Sequence, residues 1–122
     1  MTKKESFFIN RIKSIKYAVK GAYLLVRNEK SIQIQFAIAI IITMAGFYFE
    51  ISSTEWILQL FAIGLVMSVE GINTALETLL DFVHPEYHKK IGDIKDVSAG
   101  AVFIAAIIAV IIGLIIYIPK LT

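Results

Sequence analysis

Four polar side chains in the segment EGINTALETLLD, residues 70–81, could do chemistry together. At 100° of rotation per helical residue, these three acids and one amide fall within an arc of about 80°. Carboxylates that share a helix face can hold a hard cation such as Mg²⁺, usually with substrate phosphates completing its shell. A carboxylate partly withdrawn from water is also a candidate general base, because burial disfavours its charged form. The four residues are Glu70, Asn73, Glu77 and Asp81.

One helix must carry both this acidic face and the apolar run 56–69, because no turn signal separates them. If that helix begins near Glu55 at the outer surface, Glu70 lies about 22 Å along it and Glu77 about 33 Å along it. Glu70 is then just beneath the cytosolic edge of a hydrocarbon core of about 30 Å. A charge at membrane depth costs about 2.5–3.5 kcal/mol, so an acid there is a functional candidate. A hydrogen bond from Asn73 or from a neighbouring subunit would offset part of that cost.

A second face of the same helix carries small residues, which allow helices to pack closely in a membrane. Its members are Gly64, Ser68, Gly71 and Ala75. The predicted helix therefore has a packing face beside its acidic face.

The elements that must position these residues are membrane helices. Of the 122 residues 57% are hydrophobic, the mean hydropathy is +0.75, and cysteine is absent. This composition argues against a soluble fold and excludes disulfides and thiol chemistry. The apolar runs predict one all-α domain over residues 1–122, with membrane spans at about 32–50, 55–82 and 96–118. The first run starts too late for a cleavable signal peptide.

The charge distribution predicts the orientation. Eight basic residues precede residue 31, the loop 50–55 has two acids and no base, and residues 89–95 include three lysines. By the positive-inside rule, the N-terminus and the loop 82–96 face the cytosol, and only Lys120 departs from this pattern. We therefore expect a multi-pass plasma-membrane protein whose site faces the cytoplasm. The eight basic residues are Lys3, Lys4, Arg11, Lys13, Lys16, Lys20, Arg27 and Lys30.

Residues 6–27 predict an amphipathic helix that lies on the membrane surface. Apolar residues recur there at helical spacing, with basic residues on the opposite side, so membrane lipids are expected partners. The apolar stripe consists of Phe8, Ile12, Ile15, Val19, Ala22 and Val26.

The pattern resembles the prokaryotic diacylglycerol kinase family, which includes the undecaprenol kinases. The resemblance extends over nearly the whole chain. It implies a homotrimer with three spans and one surface helix per subunit, with sites between subunits. It also implies direct transfer of the γ-phosphoryl group of ATP to a lipid alcohol; no nucleic-acid partner is expected. The residues that carry it are Tyr17, Lys20, Gly21, Asn28, Glu29, Glu70, Asn73, Thr74, Ala75, Glu77, Asp81, Glu86, Tyr87, His88, Lys95, Asp96 and 99–102.

The resemblance also implies individual roles. Glu70 would be the general base for the lipid alcohol, and Glu29 and Glu77 would hold Mg²⁺. Asn73 would orient groups beside the γ-phosphate. The remaining nucleotide contacts would come from Tyr17, Glu86, Tyr87, His88, Lys95 and Asp96. Lys95 is expected just before the third span, whose first amides would attract phosphate.

Several of these residues have simpler explanations. Glu77 and Asp81 suit solvated positions at a helix end, and His88 suits a solvated loop. Glu29 could pair with Lys30 or Arg27, and two acids, Asp93 and Asp96, could cap the third span. His84 and His88 are weak evidence for zinc.

The chain departs from the family pattern where some members carry an arginine that contacts nucleotide. Asn10 stands there, and Arg11 follows it. Residues 33–35 lack charges seen in some diacylglycerol-phosphorylating members, and residues 113–120 resemble Gram-positive undecaprenol kinases more closely. The acceptor is therefore undecaprenol or diacylglycerol.

Two other classes of function are compatible with parts of the pattern. A small proton-coupled transporter could use a membrane-buried Glu70 but would not need the polar cluster at 86–96. A non-catalytic scaffold would explain the small-residue face but not the acidic one.

Overall fold

The chain folds into helices only, within the part that the structure describes. The computed structural model describes residues 6–122. Two of the basic residues used to predict the orientation, Lys3 and Lys4, lie outside the described residues. The predicted all-α class is confirmed. The helices are α1 (Phe7–Asn28), α2 (Lys30–Tyr48), α3 (Ser53–Val83) and α4 (Lys89–Leu121).

Three of the helices, α2, α3 and α4, are long and apolar enough to cross a membrane. At 1.5 Å per residue, the 31 residues of α3 span about 46 Å and the 33 residues of α4 span about 50 Å. Both exceed a hydrocarbon core of about 30 Å, so each projects beyond it by several turns. The most extensive packing between helices joins α3 to α4. We call the part of this bundle at residues 28–33 and 70–96 the inner end, and the part at 46–59 and 117–122 the outer end.

Helix α1 carries the predicted amphipathic stripe and buries none of its residues within the chain. Ser6 caps its first turn by accepting a hydrogen bond from the Ile9 amide at 3.2 Å. The chain then passes into α2 through a single extended residue, Glu29, with φ −103° and ψ 116°. The Gln33 side chain donates to the Arg27 carbonyl at 2.8 Å and so links the two helices.

The outer turn between α2 and α3 is closely packed. A Cβ at Gly46 would lie 2.7 Å from Cη2 of Trp56, so only glycine lets the two helices approach this closely. Glu50 takes a left-handed conformation with φ 51°, and Ser52 with Glu55 forms a capping box at the start of α3.

Polar side chains also pair at this outer end. The Tyr117 hydroxyl donates to the Gln59 side chain and lies 3.2 Å from the Ile42 carbonyl, which joins all three spans. Lys120, the exception to the charge pattern, forms a 3.2 Å salt bridge with Glu55. Its position is therefore explained by a partner within the chain.

The start of α4 contradicts the prediction that the first amides of this helix lie beside Lys95. The helix begins at Lys89, before the predicted span at about 96, and the His88 ring accepts from the Lys90 amide at 3.1 Å as its cap. Lys95 and Asp96 therefore lie inside the helix, and its first amides are not beside Lys95. Neither Asp93 nor Asp96 caps the helix.

Candidate active site

The acidic face of α3 runs from a buried position to an exposed one. Glu70 and Asn73 are 8% and 9% exposed, Glu77 is partly exposed, and the Asp81 side chain is 64% exposed. Next to Glu70, Gly71 is buried under Leu25 of α1, whose Cδ1 would lie 3.0 Å from an added Cβ. Helix α1 therefore contacts α3 at the residue next to the buried acid.

Glu70 has no hydrogen-bond or ion-pair partner among residues 6–122. The sequence predicted that Asn73 or a neighbouring subunit bonds it, and within the chain Asn73 is bonded elsewhere. The Glu70 oxygens are not among the fully buried, unbonded atoms of residues 6–122, so they are open to a ligand, and an acid at membrane depth is a functional candidate. Its free oxygens can accept a proton.

Asn73 bonds Glu77 instead, with its amide nitrogen donating to the Glu77 Oε1 at 3.1 Å. The Asn73 Oδ1 is buried and has no partner in the described part of the chain. An amide oxygen and a carboxylate side by side are the hard oxygen ligands that Mg²⁺ prefers. The residues present therefore fit a magnesium ion that shares its shell with phosphates.

A second feature of the inner end is a cavity of ≈ 270 Å³ between the end of α3 and the start of α4. Four of the predicted nucleotide residues line it together: Glu86, Tyr87, Lys95 and Asp96. The Tyr87 ring lies close to Gly92 of α4, since an added Cβ at the glycine would be in ordinary van der Waals contact with the ring at 3.4 Å. An aromatic ring, carboxylates and a lysine suit a polar ligand with a flat ring and charged groups.

Three other predicted site residues, Tyr17, Glu29 and His88, line neither this cavity nor the larger one. Tyr17 on α1 is 69% exposed, and His88 serves as the cap of α4. Glu29 lies at the junction of α1 and α2, and the structure shows no ion pair between it and Lys30 or Arg27. Residues 6–122 contain no group of three or more acids, histidines or cysteines placed to hold a metal.

The predicted set omits Asp81, a cavity residue that is ion-paired with a predicted one. Asp81 lines the cavity, and its Oδ1 lies 2.6 Å from the Lys95 ammonium nitrogen. Helical spacing places Asp81 on the acidic face, but its pairing with Lys95 depends on how the loop 84–88 folds back.

A larger cavity of ≈ 510 Å³ lies among the three spans. It is lined almost entirely by apolar side chains, with Gln35, Gln59 and Tyr117 as the polar exceptions. One of its lining residues, Met67, is one helical turn from Glu70 on the outer side. This larger cavity therefore extends towards the acidic face within the membrane-spanning part of the bundle.

Comparisons with known proteins cover most of the chain. Residues 16–117 match the family model described as prokaryotic diacylglycerol kinase. The chain is 38% identical over 114 residues to the undecaprenol kinase of Bacillus subtilis, covering 93% of each. It is 33% identical over 101 residues to the diacylglycerol kinase of Haemophilus influenzae, covering 83% of this chain and 86% of that one. With the diacylglycerol kinase of Escherichia coli K12 it shares 31% over 104 residues, 85% of each.

Proposed function

The chain belongs to the prokaryotic diacylglycerol kinase family and is a lipid kinase of the membrane, and we propose that it transfers the γ-phosphoryl group of ATP directly to a lipid hydroxyl. The observation that carries this mechanism is the buried, unpartnered Glu70 on the same helix face as the Asn73–Glu77 pair. One group can take a proton at membrane depth, and the other can hold a phosphate-bound cation one to two turns away.

Glu70 is the general base of the proposed step. The lipid oxygen forms a bond to the γ-phosphorus while the bond from that phosphorus to the bridging oxygen of ADP breaks. The hydroxyl proton passes to the Glu70 carboxylate, which has no competing partner within the described residues. The burial of Glu70 keeps the base at the depth that a tail-anchored hydroxyl can reach.

Glu77 holds Mg²⁺ together with Glu29 and the ATP phosphates in this proposal. When bound, the ion would neutralise charge that develops on the phosphates. Asn73 holds the Glu77 carboxylate in place through its amide nitrogen, and its buried Oδ1 has no hydrogen-bond partner in the described chain.

The nucleotide occupies the cavity at the inner end. Lys95 faces the phosphates, while Glu86, Tyr87 and Asp96 contact the nucleoside. This site lies where α3 and α4 project beyond the apolar core, so we place it on the cytoplasmic side of the plasma membrane. Tyr17 and His88 would join it only through rearrangement or from a second subunit.

We further propose that the enzyme is a homotrimer whose sites are shared between subunits. Tyr17 and Glu29 line neither cavity of the chain, although the family resemblance assigns both to the nucleotide and metal site. A neighbouring subunit that supplies them would complete each site.

For the lipid, we propose undecaprenol as the preferred acceptor and diacylglycerol as the weaker one. Support comes from the higher identity and coverage with the protein named undecaprenol kinase, 38% over 93% of each chain. The tail of the acceptor lies in the larger, apolar cavity, whose lining residue Met67 is one helical turn from Glu70. A proton-coupled transporter is not favoured, because the family and the named relatives are kinases.

The test is phosphorylation of each lipid by the purified protein in mixed micelles with Mg-ATP. We expect both lipids to be phosphorylated, with the higher kcat/KM for undecaprenol. A preference for diacylglycerol would overturn the choice of lipid alone. No phosphate transfer to either lipid would overturn the proposed reaction.

A further inference from the structure

Asp81 is the one member of the acidic face that has no part in the proposed reaction. Glu70, Asn73 and Glu77 each have a proposed role, whereas Asp81 lies at the exposed end of the face with its side chain 64% exposed. It is nevertheless bonded to another residue. Its Oδ1 lies 2.6 Å from the ammonium nitrogen of Lys95, which is 14 residues away in sequence. The contact joins α3 to α4 at the rim of the cavity at the inner end.

Lys95 is the only lysine or arginine among the residues that line this cavity. Its side chain is 35% exposed, and its four-carbon stem can take many rotamers. Two other carboxylates, Glu86 and Asp96, line the same cavity and compete for the ammonium group. A fixed partner on α3 therefore decides where the positive charge of the cavity lies.

The pair is too exposed to be explained by stability. Ion pairs open to solvent contribute little to folding, since water screens them and two long side chains lose freedom. Lysine also carries three N–H donors, so a bond to Asp81 leaves two for phosphate oxygens. Asp81 can therefore hold Lys95 without preventing it from binding an anion.

We infer that Asp81 is a positioning residue that holds Lys95 towards the phosphates of ATP. The inference rests on the proposed nucleotide site, because Lys95 must contact ATP for its position to matter. Asp81 acts through Lys95 and touches no reacting atom. Its loss should weaken nucleotide binding more than it slows the chemical step.

The experiment is a double-mutant cycle with Asp81→Asn, Lys95→Gln and both together. KM for ATP and kcat are measured with lipid in micelles, and the affinity for a non-hydrolysable ATP analogue is measured by calorimetry. Asp81→Asn should raise KM and the dissociation constant about 3- to 30-fold, which lies within the range of coupling measured between contacting residues. The change in kcat should be smaller than the change in KM. In the Lys95→Gln background the same substitution should have no further effect.

Two further variants separate positioning from a general effect of charge or folding. Asp81→Glu keeps the carboxylate and should restore most of the affinity. Asp93→Asn removes an exposed acid from α4 that does not line the cavity, and it should leave nucleotide affinity unchanged. The melting temperature of each variant is measured alongside.

The outcomes are distinct. If Lys95→Gln weakens ATP binding but Asp81→Asn does not, or tightens it, the positioning role is wrong and the nucleotide site stands. An equal effect of Asp81→Asn with and without Lys95 also overturns the role. If Lys95→Gln leaves ATP binding unchanged, the proposed nucleotide site is wrong and the inference falls with it.

Discussion

The two ends of the helical bundle treat their polar side chains in opposite ways. At the outer end, Gln59 is buried and bonded to Tyr117, and Glu55 pairs with Lys120. At the inner end, Glu70 is buried without a partner, and half of the Asn73 amide has none. Carboxylates and amides are bonded at the outer end, whereas at the inner end the buried Glu70 carboxylate and the Asn73 oxygen are open and only the more exposed Glu77 and Asp81 are bonded.

This difference separates structural from functional polar groups. A buried polar group that is bonded within the chain adds specificity to helix packing at modest cost. A buried group left open destabilises the fold, unless a ligand or a second subunit completes it. Loss of a polar group at the outer end is therefore expected to lower stability more than activity. Loss of one at the inner end is expected to lower activity more than stability.

The largest effect expected is on the rate of Glu70→Gln. The amide keeps the shape of the side chain but cannot take the proton of the lipid hydroxyl, so the rate should fall about 10²- to 10⁴-fold. Lipid phosphorylation and the affinity for an ATP analogue are measured on the same preparation, and nucleotide binding should be kept. A near-parental rate would assign the base to another residue, and complete loss of nucleotide binding would place Glu70 in the metal site.

Glu77→Gln should have the next largest effect, through metal binding. The amide removes a charged Mg²⁺ ligand and disturbs the hydrogen bond from Asn73, so the Mg²⁺ and ATP requirements should rise about 10- to 100-fold. Titration of activity with Mg²⁺ at fixed ATP measures this shift. Mg-ATP kinetics equal to those of the parent would show that Glu77 does not hold the metal, and the two ends would then differ less than proposed.

Helical periodicity and hydropathy predict much of what is needed for this contrast. The spacing of 70–81 places the acids on one face, and the burial gradient along that face follows from depth in the bundle. The start of α4 could not be predicted this way. Its first two turns, from Lys89, are polar, and hydropathy marks where a helix enters an apolar medium and not where the helix begins.

Contacts between distant residues are the other part that the pattern does not predict. The pairing of Asp81 with Lys95 depends on the fold of the loop 84–88, and that of Gln59 with Tyr117 on the register of two apolar helices. Single polar residues in an apolar run have no periodicity that could identify a partner. Tertiary geometry decides both pairs.

A third variant tests the contact between α1 and the small-residue face of α3. Gly71→Leu places a side chain where even a Cβ would be 3.0 Å from Leu25, so the Leu25 side chain or α1 must move, and stability should fall by about 1–3 kcal/mol. Gly64→Leu is the matched control, because a Cβ there meets nothing within 4 Å in the chain. Unfolding in detergent and crosslinking are measured for both.

The outcomes of this pair sharpen the account in different ways. A fully stable and active Gly71→Leu enzyme would show that Leu25 of α1 does not pack on Gly71 in the working protein. Loss of the crosslinked trimer in Gly64→Leu alone would place the small-residue face between subunits and leave the contact of Leu25 with Gly71 within the chain.

The smallest effect expected is at the outer end, in Tyr117→Phe. Removing the hydroxyl leaves the Gln59 oxygen without its donor and should cost about 0.6–2 kcal/mol of stability. The rate of lipid phosphorylation should stay close to that of the parent, because the hydroxyl lies several turns from Glu70 and the substitution keeps the aromatic ring that lines the larger cavity. A large loss of rate would show that the outer network takes part in catalysis.

The most direct test sets Glu70→Gln beside Tyr117→Phe and measures both rate and unfolding in detergent for each. Each substitution removes one polar function and leaves the side chain nearly isosteric. Glu70→Gln should lose its rate and unfold at the parental temperature or above, since a buried, unpartnered charge has become a neutral amide. Tyr117→Phe should keep its rate and unfold at a lower temperature. If Glu70→Gln is the less stable variant and keeps its rate, the open carboxylate is structural and the proposed catalytic role of the inner end is wrong.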